Sequence, residues 1–306
     1  MSAHSLGPHV VGQRIVVRHL LPGETGPSGG PAMTDVLGVC EEWNLGTSLV
    51  IRREDGEVRT IPLALVVSGK PVPPRPSIRQ RVSIRDAEAH TLDLFDDQET
   101  TALGNWILRT QPVLPGRLVK RANSCFAFGD PGGEMDASGI EQFYAALDRP
   151  ALVQVAAEEP WEAEFRSLGW RPVPGSETAL QLTSVAQTRH RLPTPLHTAE
   201  VMANPAGRAE LRQGPVRVSV ALARDWLAIY SLEVDPAQRR RGLARQLLAE
   251  AIAWGAERGA TTAWLHVETD NHPAVALYAS IGFRTHHLTR YWYSPRVPSP
   301  WSVPGS

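Results

Sequence analysis

In Val234-Asp235-Pro236-Ala237-Gln238-Arg239-Arg240-Arg241-Gly242-Leu243-Ala244 an apolar run ends, a polar loop turns, and a helix begins at a glycine. The backbone N–H groups at a helix start lack intrahelical partners, and the helix dipole favours an anion beside them. Gly242 and Ala244 carry little or no side chain to obstruct a phosphate, and the three arginines add charge-assisted donors. The stretch reads as a pyrophosphate cradle, the alternative being a solvated basic turn that opens a surface helix. Neither the Gly-Lys-Ser/Thr ending of a P-loop nor a G-x-G-x-x-G fingerprint is present.

Outward from this loop the chain alternates. Trp226–Val234 reads as a strand and Gly242–Arg258 as a helix with Gly259 at its C-cap. Thr261–Glu268 is the next strand. A further helix starts at Asn271, with Pro273 early in it, and stops at Gly282. Strand–helix–strand–helix order predicts an α/β sheet with right-handed crossovers.

Arg239-x-x-Gly242-x-Ala244 after Leu232-Glu233-Val234-Asp235-Pro236 resembles the acetyl-CoA signature of the GNAT acetyltransferase superfamily. Asn271-His272-Pro273-Ala274-Val275-Ala276-Leu277-Tyr278-Ala279-Ser280-Ile281-Gly282-Phe283 resembles the second helix of that family, in the same order and spacing. The resemblance covers Ala221 to Tyr293, and from Trp264 onward it is similar to bacterial ribosomal-protein N-terminal acetyltransferases. It implies an α/β (α+β) GNAT fold with a mixed central sheet and, as activity, transfer of acetyl from acetyl-CoA to a primary amine by direct attack in a ternary complex.

By the same resemblance, Leu232 and Val234 offer backbone groups to the pantetheine arm, and Arg239, Arg240, Arg241, Gly242, Leu243 and Ala244 hold the pyrophosphate. Asn271 bonds the cofactor near the second helix start. Tyr278 stands by the thioester sulfur and protonates the departing thiolate, although a tyrosine here also packs a helix face. The attacking amine must lose a proton, so a base is needed. Strand alternation puts Thr262, Trp264, His266 and Glu268 on one face. His266 takes the place where the ribosomal-protein enzymes carry a glutamate, and it titrates near neutrality. Glu233 is the other candidate. The acceptor is a protein N-terminus or lysine, or a small amine; a non-catalytic acyl-CoA-binding regulator is the competing reading.

A repeat precedes this region. Ala151-Leu152-Val153-Gln154-Val155 and then Phe165-Arg166-Ser167-Leu168-Gly169-Trp170-Arg171 parallel Trp264-Leu265-His266-Val267 and then Tyr278-Ala279-Ser280-Ile281-Gly282-Phe283-Arg284. Phe165 stands where Tyr278 stands, and no Arg-x-x-Gly-x-Ala occurs between Ala122 and Leu152, so a duplicated lobe there is degenerate and catalytically silent. Within this middle region Glu88–Arg109 is expected to be mainly helical. Gly139–Leu147 and Trp161–Leu168 read as shorter helices, and Ala151–Ala156 as a buried strand. Tyr291-Trp292-Tyr293 either lines the acceptor site or closes the sheet.

The first part of the chain reads differently. Arg14–Val17, Val36–Cys40, Ser48–Ile51 and Glu57–Pro62 are short strands, with a hairpin signal at Glu54-Asp55-Gly56 and a Gly/Pro-rich loop over Pro22–Pro31. They predict a small all-β SH3-like barrel, a possible protein-partner module. Lys70-Pro71-Val72-Pro73-Pro74-Arg75-Pro76 reads as a semi-rigid linker. The expected organisation is a barrel over 1–70, a linker over 71–80, a GNAT-like lobe over 81–183, the catalytic domain over 184–295 and a disordered tail over 296–306.

Composition narrows the class. With 306 residues, 42% apolar and 21% charged, the chain suits globular units, and a net charge of −1 gives no basic field for nucleic acid or anionic membrane. No apolar run approaches the roughly 18 residues of a membrane span. Cys40 and Cys125 are far apart and lack metal-ligand spacing, so no metal is expected and a reducing, cytoplasmic setting is.

Overall fold

The computed structural model describes residues 6–26, 29–53, 55–72, 77–95, 97–112, 118–157 and 159–297. The chain divides into two compact units, Met1–Pro76 and Ser77–Ser306.

The N-terminal unit is an antiparallel sheet of β1 (Arg14–Thr25), β2 (Pro31–Asn44), β3 (Ser48–Arg52), β4 (Val58–Pro62) and β5 (Val66–Pro71) in the order β4-β3-β2-β1-β5. Its core holds Val10, Ile15, Val17, Cys40, Leu49, Ile51 and Ile61. Gly38 is required by packing, because a Cβ there would lie 2.3 Å from the Arg52 carbonyl oxygen. The expected closed barrel is not found: among the described residues β4 and β5 are separate edges of an open path. β1 and β2 reach far into the stretch read as a loop. β5 takes Lys70 and Pro71, read as linker, because proline is tolerated on an edge strand. Glu54 of the hairpin turn, Pro73–Pro76 of the linker and the tail beyond Val297 lie outside the described residues.

The C-terminal unit opens with α1 (Ile84–Ala89), whose N-cap Ser83 accepts a hydrogen bond from the Asp86 N–H, and continues as a 3-10 turn over His90–Leu94. There the helix stops, short of the Arg109 end expected. β6 (Glu99–Leu103) and β7 (Trp106–Thr110) follow as a hairpin about Gly104-Asn105, Gly104 sitting at φ +60°. Leu103, Trp106 and Ile107 fit either period, and the β-branched pair Thr100-Thr101 together with a left-handed glycine favour the strand.

Next come β8 (Cys125–Phe126), α2 (Ala137–Ala146), β9 (Leu152–Ala156), α3 (Trp161–Ser167), β10 (Arg171–Pro172) and β11 (Thr178–Ser184). Then α4 (Val185–Arg191), β12 (Glu200–Ala203), β13 (Arg208–Gln213), β14 (Val216–Ala223), β15 (Trp226–Val234), α5 (Leu243–Glu257), β16 (Thr262–Glu268), α6 (His272–Ser280) and β17 (Arg284–Tyr293) complete the unit. One sheet runs β12-β13-β14-β15-β16-β11-β17-β9-β8-β7-β6, with β10 paired to β17. It is mixed: β15/β16 and β8/β9 are parallel and the other pairs antiparallel.

The order at the centre of the sheet is informative. β9, α3 and β10–β11 follow one another as β16, α6 and β17 do, yet β11 lies between β16 and β17 while β17 lies between β11 and β9. Each copy of the sequence repeat therefore places its last strand beside the other's. Gly169 and Gly282 end α3 and α6 at φ +82° and +103°, and Trp170 and Phe283 after them are buried. Val218, Leu227, Leu247, Ile252, Leu265 and Phe283 form one core. Trp106, Tyr144, Val153, Phe165, Trp170 and Trp292 form another. Trp292 thus belongs to a core, so Tyr291-Trp292-Tyr293 closes the sheet and does not line the cleft described below. No helix among the described residues is long and apolar enough to cross a membrane.

Candidate active site

β15 and β16 pair only where Trp226–Ala228 meets Thr262–Trp264. Beyond that point they part, while β15 stays paired to β14 as far as Val234 through a bulge at which Ser231 adopts φ +51°. One edge of β15 from Ile229 onward therefore has no ladder partner among the described residues. The gap opens onto a cleft of about 420 Å³ lined by Ile229, Tyr230, Ser231, Trp264, His266 and Tyr278. Leu94, Phe95, Gln111, Pro112, Val119, Arg121 and Asn123 form its other wall.

The arginine-rich loop stands at the end of the same strand. Asp235 accepts a hydrogen bond from the Ala237 N–H at 2.9 Å, which starts a 3-10 turn over Pro236–Gln238. Arg240 takes φ +65°, and Gly242 caps α5 in the left-handed region at φ +79°. No side chain caps the first N–H groups of α5. Arg239, Arg240, Arg241 and Gly242 are exposed, and a Cβ on Gly242 would meet nothing within 4 Å. Uncapped donors, cationic side chains and open space at the glycine fit a pyrophosphate. Leu232, Val234 and Leu243 are half-buried against the core, which anchors the loop on both sides.

Asn271 is the N-cap of α6, its Oδ1 accepting from the Ala274 N–H at 3.3 Å. The helix places Tyr278 in the cleft wall, packed edge-on to Phe283. The Tyr278 hydroxyl has no hydrogen-bond partner among the described residues, and burial pushes its pKa up to about 12, so it keeps its proton at neutral pH.

The two candidate bases differ sharply. Glu233 is 58% exposed and ion-paired with Arg217 at 2.7 Å, away from the cleft lining. His266 is buried in the cleft wall, its Nε2 2.7 Å from Oε1 of Glu88. Burial holds its pKa down to about 4, against the attraction of Glu88. Its Nδ1 is buried without a partner. Glu88 was not anticipated: it lies 178 residues away in an ordinary helical stretch, and no local pattern marks it. Among the described residues no cluster of His, Cys, Asp or Glu is arranged to hold a metal ion.

Residues 158–283 match the model of the acetyltransferase (GNAT) family. They form a GNAT acetyltransferase domain. Residues 9–70 match the Rv0428c N-terminal Sm-like domain, which agrees with a small all-β unit. The GNAT domain is 41% identical over 69 residues to the [ribosomal protein bS18]-alanine N-acetyltransferase of Salmonella typhimurium, covering 22% of this chain and 47% of that protein. It is 42% identical over 65 residues to the N-alpha-acetyltransferase RimI of Mycobacterium tuberculosis, covering 21% and 39%. The chain thus spans less than half the length of these relatives. The GCN5-related N-acetyltransferase from Kribbella flavida superposes with a TM-score of 0.51 at 18% identity, over 71% of this chain and 96% of that one, a likeness of fold.

Proposed function

We propose that this protein is an acetyl-CoA-dependent N-acetyltransferase that acetylates a primary amine by direct attack within a ternary complex. The observation that carries the reading is the parting of β15 from β16, with the glycine–arginine loop at one end and Tyr278 and His266 at the other. The unpaired edge of β15 at Leu232 and Val234 receives the pantetheine arm as an added strand. The α5 start and Arg239–Arg241 hold the pyrophosphate. Bound acetyl-CoA supplies the acetyl thioester. His266 accepts the proton that the amine gives up, and the protonated Tyr278 hands its own to the departing sulfur, so one proton leaves the amine and one reaches the thiolate. Glu233, turned to Arg217, is the weaker base candidate.

The lobe over 81–183 is proposed to be catalytically silent. Phe165, in the place of Tyr278, is fully buried and packed on Trp106 and Trp170. What the lobe contributes is a wall of the acceptor cleft. No carboxylate lines that cleft among the described residues, which favours an α-amine or a small apolar amine over a polycation. A protein N-terminus, as the names of the relatives suggest, meets that description. Purified protein, acetyl-CoA and a panel of amines and N-terminal peptides, followed by thiol release, test the proposal. Turnover lost in Tyr278→Phe supports it; tight CoA binding with no turnover on any amine leaves a cofactor-binding regulator instead.

A further inference from the structure

Behind the cleft, four polar side chains form a continuous chain through the sheet. His266 Nε2 lies 2.7 Å from Glu88 Oε1, and the same oxygen lies 3.0 Å from His287 Nε2. His287 Nδ1 lies 2.7 Å from His286 Nδ1, and His286 Nε2 lies 2.9 Å from the Val82 carbonyl oxygen. Glu88 is wholly buried, His266 and His287 nearly so, and His286 is half-buried at the outer end.

The protons can be counted. A carbonyl and a carboxylate only accept, and each neutral imidazole donates once. The Val82 carbonyl requires a proton on His286 Nε2, which leaves His286 Nδ1 to accept if that ring is neutral. Burial and the neighbouring His287 both disfavour charge on His286. The three bonds made by His286 and His287 need one proton more than two neutral rings carry, and the Glu88 carboxylate offsets its charge. The remaining proton, on His266 Nε2, points at the same oxygen. Four bonds use four protons at zero net charge, and His266 Nδ1 carries none.

We infer that Glu88 and His287 are positioning residues for proton transfer: they hold His266, in the cleft wall, as the Nε2–H tautomer and leave its Nδ1, which is buried and has no partner, as the proton-accepting atom. This rests on the acetyltransferase reading above. As the amine N–H bond breaks and the Nδ1–H bond forms, the nitrogen keeps the electron pair and His266 becomes an imidazolium facing the Glu88 carboxylate. No proton is consumed, because His266 gains one as Tyr278 yields one to the thiolate. The other titratable groups around the chain are Arg121 beside His266, Glu159 beside His287, and Arg109 and Tyr291 beside Glu88. Arg121 disfavours a resting positive charge on His266, which keeps Nδ1 free.

The full chain labelled with 15N-histidine reports the tautomers directly in long-range 1H–15N spectra, the His266 signals being assigned by their loss in His266→Gln. At neutral pH the expected result is His266 protonated at Nε2 and bare at Nδ1. In Glu88→Gln kcat falls about 10²-fold, while KM for acetyl-CoA stays within about twofold. A proton on His266 Nδ1 or wild-type kcat in Glu88→Gln overturns the inference. The wild-type spectrum needs no variant to fold. If no amine is turned over, the acetyltransferase reading fails while the spectrum still decides the tautomer.

Discussion

Thr178 and Thr289 stand opposite each other in β11 and β17, their buried hydroxyls 2.8 Å apart. That contact marks the seam where the last strands of the two repeat copies lie side by side. A fragment beginning at Ser184 removes β11 from between β16 and β17 and β9 from beyond β17. It leaves strand edges unpaired and strips Trp292 of Val153, Phe165 and Trp170. Such a fragment is expected to show no cooperative thermal transition by circular dichroism, whereas the chain from Ser77 onward melts cooperatively. A native-like, cooperative melt of the fragment would show that the seam is dispensable.

Gly242→Val is expected to weaken CoA binding by at least about tenfold. At φ +79° any β-branched residue is strained, by roughly 1–2 kcal/mol, and the new side chain fills the open space beside the proposed phosphate position. There is no clash within the protein itself, so the loss appears in calorimetric affinity more than in folding. Unchanged affinity would move the pyrophosphate elsewhere.

Tyr278→Phe keeps the ring against Phe283 and removes only a hydroxyl with no hydrogen-bond partner among the described residues. Stability should change by no more than about 0.5 kcal/mol, while kcat falls about 10²-fold and CoA affinity holds. Because burial raises the tyrosine pKa to about 12, no alkaline loss of kcat from this group is expected at moderately alkaline pH. A pH–rate profile of wild type against the variant checks both points.

Acid should destabilise the fold through His266 and Glu88. Burial lowers His266 from 6.5 to about 4, and two imidazole donors hold Glu88 below its ordinary range. Both groups bind more protons unfolded than folded as pH drops, so stability rises with pH across this window. The His266 contribution is complete above about pH 6.5 and is lost as pH falls through about 4, a span of roughly 3 kcal/mol. Urea midpoints at about pH 7 and pH 4.5 measure it, and His266→Phe should flatten the difference. Equal midpoints in the wild type would mean that His266 is not buried as a neutral ring.

The parts of the site that were legible in advance are those with local causes. Gly242 and Gly259 bracket α5, and Asn271 and Gly282 bracket α6, because caps act within one turn of the helix they end. The apolar spacing of Glu88–Arg109 suits both a helix and a hairpin; Thr100-Thr101 and Gly104 lean toward strands, and pairing with β8 settles it. β5 was missed because a proline-rich ending looks like linker, although an edge strand loses nothing where Pro71 lacks an N–H. The closed barrel failed for a related reason, since alternation predicts strands but not which edges meet.

By itself the sequence determined the strand–loop–helix that begins at Trp226, the glycine that opens α5 behind three arginines, and the presence of His266 and Tyr278 on the strand and helix that follow. Those features depend on dihedral preferences and hydrogen bonds that span a few residues. Only the tertiary structure separated the surroundings of His266 and Glu233, by setting one in the cleft wall against Glu88 and pairing the other with Arg217. Only it revealed the exchange of β11 and β17. Both outcomes depend on contacts between residues far apart in the chain, which burial and charge select after the local elements have formed.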